Sequence, residues 1–296
     1  MVTFLENVPL AGKTTYRIGG PARYYAEPQD EDEVAEAYRF AQDRKLPALI
    51  LGNGSNMLIS DMGFDGVVIN LSAKLTMLAW NGTMAFASGG YPLDDFIAAA
   101  AERGYAGVEW LSGIPGTVGG AVVMNAGAFD AVISDKLNSV RVMRAGTLEI
   151  DTVYAQDIAF GYRRSAIQGT GDLVLSAIFE LKDDDPARVT ATRNDILNKR
   201  AEKQPSEPSC GSAFKRPPGN YAGTLIQASG LKGFKIGAVE VSEKHANFFT
   251  NTGGATAEDV RVVMRHVQKK VYEDSGVLLE PEVVFVGEFK EPLFTP

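Results

Sequence analysis

The residues best suited to chemistry are concentrated in a few short blocks. LGNGSNM, from Leu51 to Met57, follows an apolar run with Gly52, Asn53, Gly54, Ser55, Asn56 and Met57, a set of backbone N–H groups and short donors that suits a pyrophosphate. It satisfies only the first half of the dinucleotide fingerprint G-x-G-x-x-G, because Met57 holds the third glycine position, so no Rossmann site is expected. On its own the loop also reads as an ordinary turn. A second block, SGIPGTVGGAVVMNAGAF, carries Gly113, Gly116, Gly119, Gly120 and Gly127 among Ser112, Pro115, Thr117, Asn125 and Ala128. So little side-chain bulk lets backbone lie flat on a planar ligand or a pyrophosphate, and Thr117 to Asn125 is expected to start a helix whose N-terminus meets the anion. Close packing of that helix on a sheet is the competing reading. GKTT, from Gly12 to Thr15, is not a phosphate loop, since the first glycine of that motif falls on Asn7.

FGYRRS, from Phe160 to Ser165, sets Tyr162 and Arg163 beside a second arginine, where solvent exposure is the ordinary reading. Between Lys199 and Lys235 seven basic residues, including Lys203, Lys215 and Arg216, meet two acids, a local balance of +5 in a chain of net charge −8. The remainder stands at −13, so a compact polyanion such as a diphosphate is expected on this Gly-, Ser- and Pro-rich island. His245 reads as a base, a substrate hydrogen-bonder or a core residue, and His266 as structural or surface. Glu280 and Glu282 head the strand-like LLEPEVVFVG, where a carboxylate is either partly buried with a raised pKa or solvated at the strand end. One cysteine, Cys210, and two histidines allow no internal disulfide, cysteine zinc site or iron–sulfur cluster, and no metal site is expected.

The elements that must position these blocks follow from periodicity. Val34, Ala37, Tyr38 and Ala41 share a helical face between Glu31 and Lys45, with acids early and bases late. Leu46–Leu51 and Gly66–Leu71 read as a strand, a glycine turn and a second strand, and Pro92–Gly104 as a short capped helix. After Asn125, the runs at 139–144, 148–153 and 173–181 predict a mixed or antiparallel sheet. A polar helix over Pro186–Lys203 runs into Pro205 and Pro208, which forbid its continuation and mark a domain boundary. The tail holds an amphipathic helix with Thr256 as N-cap and Gly276 as terminator, then a closing strand in EVVFVGEF.

A length of 296 residues allows about two domains of the usual ~150 residues. With 45% apolar and 22% charged residues the composition is that of a globular protein, which excludes disorder and fibres. The acidic balance disfavours nucleic acid and anionic membrane as partners. Without a signal-like start or a long apolar run, a cytoplasmic chain is expected.

Eight motifs, TTYRIGGPA, LGNGSNMLI, GIPGTVGGAVVMNAGAF, FGYRRS, RAEKQP, SCGSAFKRP, SEKHANF and LEPEV, follow one another along nearly the whole chain. In that order they resemble the UDP-N-acetylenolpyruvoylglucosamine reductases (UDP-N-acetylmuramate dehydrogenases) of bacterial cell-wall synthesis, in their shorter type II form. The resemblance implies an α+β fold, with a two-part FAD-binding domain of the vanillyl-alcohol-oxidase type and a smaller α+β substrate-binding domain. The corresponding boundaries are 1–70, 71–203 and 204–296, the C-terminal strand returning to the flavin. It implies Arg163, Ser212 and Glu282 as catalytic residues, and the two glycine-rich blocks, Gly52–Met57 and Ser112–Ala128, as the FAD cradle. Tyr162, Lys203, Lys215, Arg216, His245 and Asn247 are implied as substrate contacts, NADPH as the reductant and a monomer as the working state. Arg216 stands where the family often has Asn, and Asn53 where Gly is also common. Both histidines and the cysteine lie beyond the expected flavin domain, so the FAD should be non-covalent. A related flavin oxidase and a non-catalytic nucleotide-binding module are the competing functions.

Overall fold

The computed structural model describes residues 1–290 and 292–296. It separates into two compact units, one of Met1–Leu5, Tyr24–Asn53 and Gly66–Arg200, the other of Glu6–Arg23, Gly54–Asp65 and Ala201–Pro296. β1 (Phe4–Pro9), β2 (Pro21–Ala26) and β5 (Phe64–Asn70) cross this division, and with β3 (Ala48–Leu51) they form a sheet of order β1-β2-β5-β3. The two apolar runs are therefore strands, β3 and β5 lying parallel with Ala48 opposite Val67. A glycine turn is not all that separates them: β4 (Met57–Ile59) intervenes and pairs elsewhere.

In the first unit α1 (Glu31–Asp43) is capped by Asp30, whose carboxylate accepts from the Glu33 N–H at 2.8 Å. Val34, Ala37, Tyr38 and Ala41 of its apolar face are buried with Val67 and Ile69 of β5. An antiparallel five-stranded sheet follows, in the order Ile150–Tyr154, Leu137–Met143, Leu173–Glu180, β7 (Met84–Ser88) and β6 (Leu78–Asn81). Its central strand is buried on both faces. Leu173 and Leu175 join the α1 core, while Val174, Ala177 and Phe179 join a second core with α2 (Leu93–Glu102) and α3 (Val118–Val123). The change of parity after Leu175 is a β-bulge, since Ser176 faces Arg141 while Val174 faces the next residue, Val142. α4 (Pro186–Lys203) begins on a proline and stops before Pro205, as its sequence requires.

The second unit sets α5 (Ala222–Ala228) and α6 (Ala257–Ser275) around one core, with an antiparallel sheet of Lys235–Ile236, Val239–Val241 and Phe249–Asn251. Thr256 and Asp259 form a capping box on α6, and Gly276 ends it at φ +70°. Val260, Val263, Met264, Val267 and Val271 make its buried stripe, each worth about 1.5–3 kcal/mol on full burial. His266 lies on the exposed side, stacked 4.2 Å from the Phe234 ring. Of EVVFVGEF only Val284–Val286 is strand, parallel to β4 with Val284 opposite Met57. No helix among the described residues is long and apolar enough to cross a membrane.

Candidate active site

In the first unit the loop after β3 is pinned to the loop before α3. A Cβ on Gly52 would lie 2.6 Å from the Thr117 hydroxyl, and Asn53 Nδ2 donates to the Gly116 carbonyl at 3.2 Å. Thr117 caps α3 by accepting from the Gly120 N–H at 3.3 Å. The expected helix is present, but its leading N–H groups are already committed within the protein. Val118 donates to Tyr91 O at 2.9 Å and Gly119 to Gly89 O at 2.8 Å. The expectation that α3 aims its N-terminus at an anion is corrected accordingly. Packing also demands Gly119, because a Cβ there would come within 2.9 Å of Gly89 O.

What these loops offer a ligand is backbone and small side chains. Gly52, Asn53, Gly113 and Gly116 are half-buried and Pro115 and Gly120 exposed, while Ser112 is fully buried and bonds to Glu109 O at 2.6 Å. Neither glycine-rich stretch carries an acidic side chain. Such a neutral, low-relief surface fits a pyrophosphate and a flat ring.

The hairpin Phe160–Gly161/Arg164–Ser165 is fixed to the same block. Buried Asn125 donates from Nδ2 to Gly161 O at 3.1 Å, and Ser165 Oγ donates to Val123 O at 2.7 Å. Arg163, at the turn with φ +54°, donates from Nη2 to Gly127 O at 2.7 Å and sets its Cζ 5.1 Å from the exposed Tyr162 ring. Gly127 leaves room for nothing larger, since a Cβ would lie 2.6 Å from Ala131 O, across the short pairing of Ala128 with Ala131. Asn125, Gly127, Ala128, Tyr162 and Arg163 thus converge.

Gly54, Ser55, Asn56 and Met57 belong to the second unit. Gly54 adopts φ +57°, and a Cβ there would stand 2.9 Å from Lys13 O, so close approach of backbone requires the glycine. Met57 then opens β4. Asn56 Nδ2 donates to the Glu282 carbonyl at 3.2 Å, and the Glu282 N–H donates to Ala213 O at 2.9 Å. Ala213 is the neighbour of Ser212, which forms a bridge with Phe248, and Phe214 forms another with Pro281. Residues 212–215 therefore lie between 247–248 and 280–282 in one short ladder, in which half-buried Glu282 stands opposite Ala213, one position from half-buried Ser212. Sequence patterns do not reveal this ladder, because it is made almost entirely of backbone.

Asn247, expected to meet substrate, has its side-chain amide committed elsewhere. Its Oδ1 accepts from Phe214 N at 3.1 Å and its Nδ2 donates to Phe214 O at 2.8 Å, so buried Asn247 clamps the Ser212 segment instead. His245 is half-buried, and burial, with nearby Lys232 adding a smaller share, lowers its pKa and favours the neutral ring. Its Nδ1 accepts from Asn247 N at 3.2 Å, which leaves the proton on Nε2. Lys215 Nζ lies 3.4 Å from the exposed Glu280, and the exposed Arg216 sets its guanidinium 4.1 Å from the Tyr221 ring. Lys203 is the exposed last residue of α4. Next to this ladder, burial pushes the Cys210 thiol up to about 12.

Residues 22–149 match the family described as FAD binding domain. Residues 204–286 match that described as UDP-N-acetylenolpyruvoylglucosamine reductase, C-terminal domain. The chain is 43% identical over 298 residues to UDP-N-acetylenolpyruvoylglucosamine reductase of Caldicellulosiruptor bescii, which covers 100% of this chain and 94% of that protein. It is 44% identical over 284 residues to the protein of the same name from Streptococcus pyogenes, covering 96% of each. The crystal structure of UDP-N-acetylenolpyruvylglucosamine reductase from Thermus caldophilus superposes with a TM-score of 0.85 at 32% identity, over 97% of this chain and 100% of that one.

Proposed function

The chain belongs to the UDP-N-acetylenolpyruvoylglucosamine reductase family, and we propose that it uses NADPH to reduce UDP-N-acetylglucosamine enolpyruvate to UDP-N-acetylmuramate, for peptidoglycan precursors. Its FAD binding domain, residues 22–149, takes in both glycine-rich blocks and makes it a flavin-dependent oxidoreductase. The observation that supports the substrate reading most is the backbone ladder that fixes the Ser212 segment against the Glu282 segment, because reduction of an enolpyruvyl ether needs an acid and a charge stabiliser carried on a rigid frame.

Bound FAD supplies the two-electron chemistry, and the two glycine-rich loops would hold it without a covalent link. Arg163, whose main-chain position is set by the hairpin, would meet the substrate carboxylate with its planar fork. Glu282, in its protonated form, would donate a hydrogen bond to the enolate that develops on that carboxylate, and Ser212 would hold the proton destined for the adjacent carbon. A hydroxyl is a weak acid, yet a fixed geometry lets it serve a carbanion this basic. Lys203, Lys215 and Arg216 would neutralise the diphosphate. His245, neutral at physiological pH, would act there as a hydrogen-bond donor through Nε2.

Functionally we divide the chain into flavin-binding parts 1–70 and 71–203 and a substrate part 204–296. The reading expects a cytoplasmic monomer whose partners are small molecules. NADPH oxidation by the purified, FAD-loaded protein tests it: the rate should rise steeply only when the enolpyruvyl nucleotide is added. No rise would sink the assignment.

A further inference from the structure

Arg200 belongs by sequence to the basic island assigned to the diphosphate. The fold carries it elsewhere in its own unit, onto the second glycine-rich block. A Cβ on Gly113 would lie 2.9 Å from Arg200 Cδ and 3.6 Å from its Nε, so the side chain lies directly on the Gly113 backbone. At the other end of the block its Cζ stands 5.8 Å from the exposed Phe129 ring. Two residues before Phe129, Gly127 accepts from Arg163 Nη2 at 2.7 Å. The two arginines thus reach the same half-buried surface from different elements, α4 and the 160–165 hairpin. Their charges feel each other: burial first, and the Arg163 charge second, hold the Arg200 guanidinium below its ordinary range. Asp94, an acid whose charge Arg200 feels, accepts from Arg193 at 2.6 Å and from the Gly113 N–H at 2.8 Å.

We propose that Arg200 is a second substrate-binding arginine, sharing with Arg163 the carboxylate of the enolpyruvyl group. Two guanidiniums brought together in a half-buried place favour an anion between them, and a carboxylate has two oxygens and about four acceptor sites to divide between two planar forks. The proposal rests on the reductase reading above, and on Arg163 as the carboxylate's partner within it.

The test is calorimetric binding to the oxidised, FAD-loaded enzyme with two ligands, UDP-N-acetylglucosamine enolpyruvate and UDP-N-acetylglucosamine, which lacks the carboxylate. Failure of the unaltered enzyme to bind the enolpyruvyl nucleotide would count against the reductase reading itself. Given that binding, Arg200→Gln should weaken the enolpyruvyl nucleotide by about 10- to 100-fold. Its affinity for UDP-N-acetylglucosamine should stay within about twofold. Arg200→Lys, which keeps the charge without the fork, should recover part of the loss. Equal weakening of both ligands in both variants, as a diphosphate contact or a purely structural role predicts, overturns the proposal. So does an unchanged affinity for the enolpyruvyl nucleotide.

Discussion

Asn56 and Glu282, 226 residues apart in the chain, are joined by one hydrogen bond, from Asn56 Nδ2 to the Glu282 carbonyl at 3.2 Å. The link is reinforced by Val284 N, which donates to Asn56 O at 2.9 Å, and by Glu282 N, which donates to Ala213 O at the same distance. Both backbone groups of Glu282 are therefore held, one by a glycine-rich loop and one by the neighbour of Ser212. Placement of the carboxylate is a property of that ladder and not of Glu282 alone.

Asn56→Ala removes the bond to Glu282 and loosens the loop that carries it. FAD content should fall, and product formation in a single turnover should slow by about tenfold even in the flavin-loaded fraction. Flavin absorbance per mole of protein and rapid-mixing kinetics measure the two effects separately. A normal rate in the loaded fraction would show that the bond does not position Glu282.

Ser212→Ala should leave flavin reduction by NADPH intact while slowing product formation by about 10²- to 10⁴-fold, the range for losing a general acid. Glu282→Gln should slow the same half-reaction and spare the first. Anaerobic stopped-flow traces of the two half-reactions check both variants. Equal loss in both halves would give the residue a different job.

Asn247→Ala strands the Phe214 N–H and C=O in a buried place, and about 2–4 kcal/mol of stability should go with them. Urea unfolding monitored by circular dichroism reads the change directly. A substrate contact without this clamping role would leave the unfolding midpoint where it was.

The Cys210 thiol ionises at an ordinary 9.0 in the unfolded chain but only at about 12 in the folded one. The folded state thus favours the protonated thiol, and its contribution to stability is complete below pH 9 and is lost as pH rises from there towards 12. Tyr16, buried beside it and raised above its ordinary 10.0, adds to the same alkaline fall. Unfolding free energies at pH 8 and pH 10.5 should therefore differ less in Cys210→Ala than in the unaltered protein. In native buffer the thiol should resist a disulfide reagent and react only on unfolding.

How far the sequence can be read depends on the range of the interaction. α1 and α6 were legible because their apolar stripes and end residues act within four positions along the chain, and α4 because Pro186 and Pro205 bound it; Thr256, Asp259 and Gly276 specify both ends of α6 by themselves. The glycine-rich blocks were legible as backbone-dominated surfaces, though the N–H groups of α3 turned out to be committed to Tyr91, Gly89 and Thr117. The type of Asn247 is suited both to meeting a ligand and to clamping a backbone, and only its distances to Phe214 reveal the clamp.

The amino-acid sequence by itself determined the composition class, the helices α1, α2, α4 and α6, the motif order that carries the family resemblance and the +5 island between Lys199 and Lys235. Tertiary structure alone decided that β4 pairs with Val284–Val286, that Glu282 is tied between Asn56 and Ala213, and that Arg200 leaves its island for the surface Arg163 reaches. The reason is physical. Caps and stripes are written in side chains close along the chain, whereas a ladder between distant segments is made by N–H and C=O groups that nearly every residue carries.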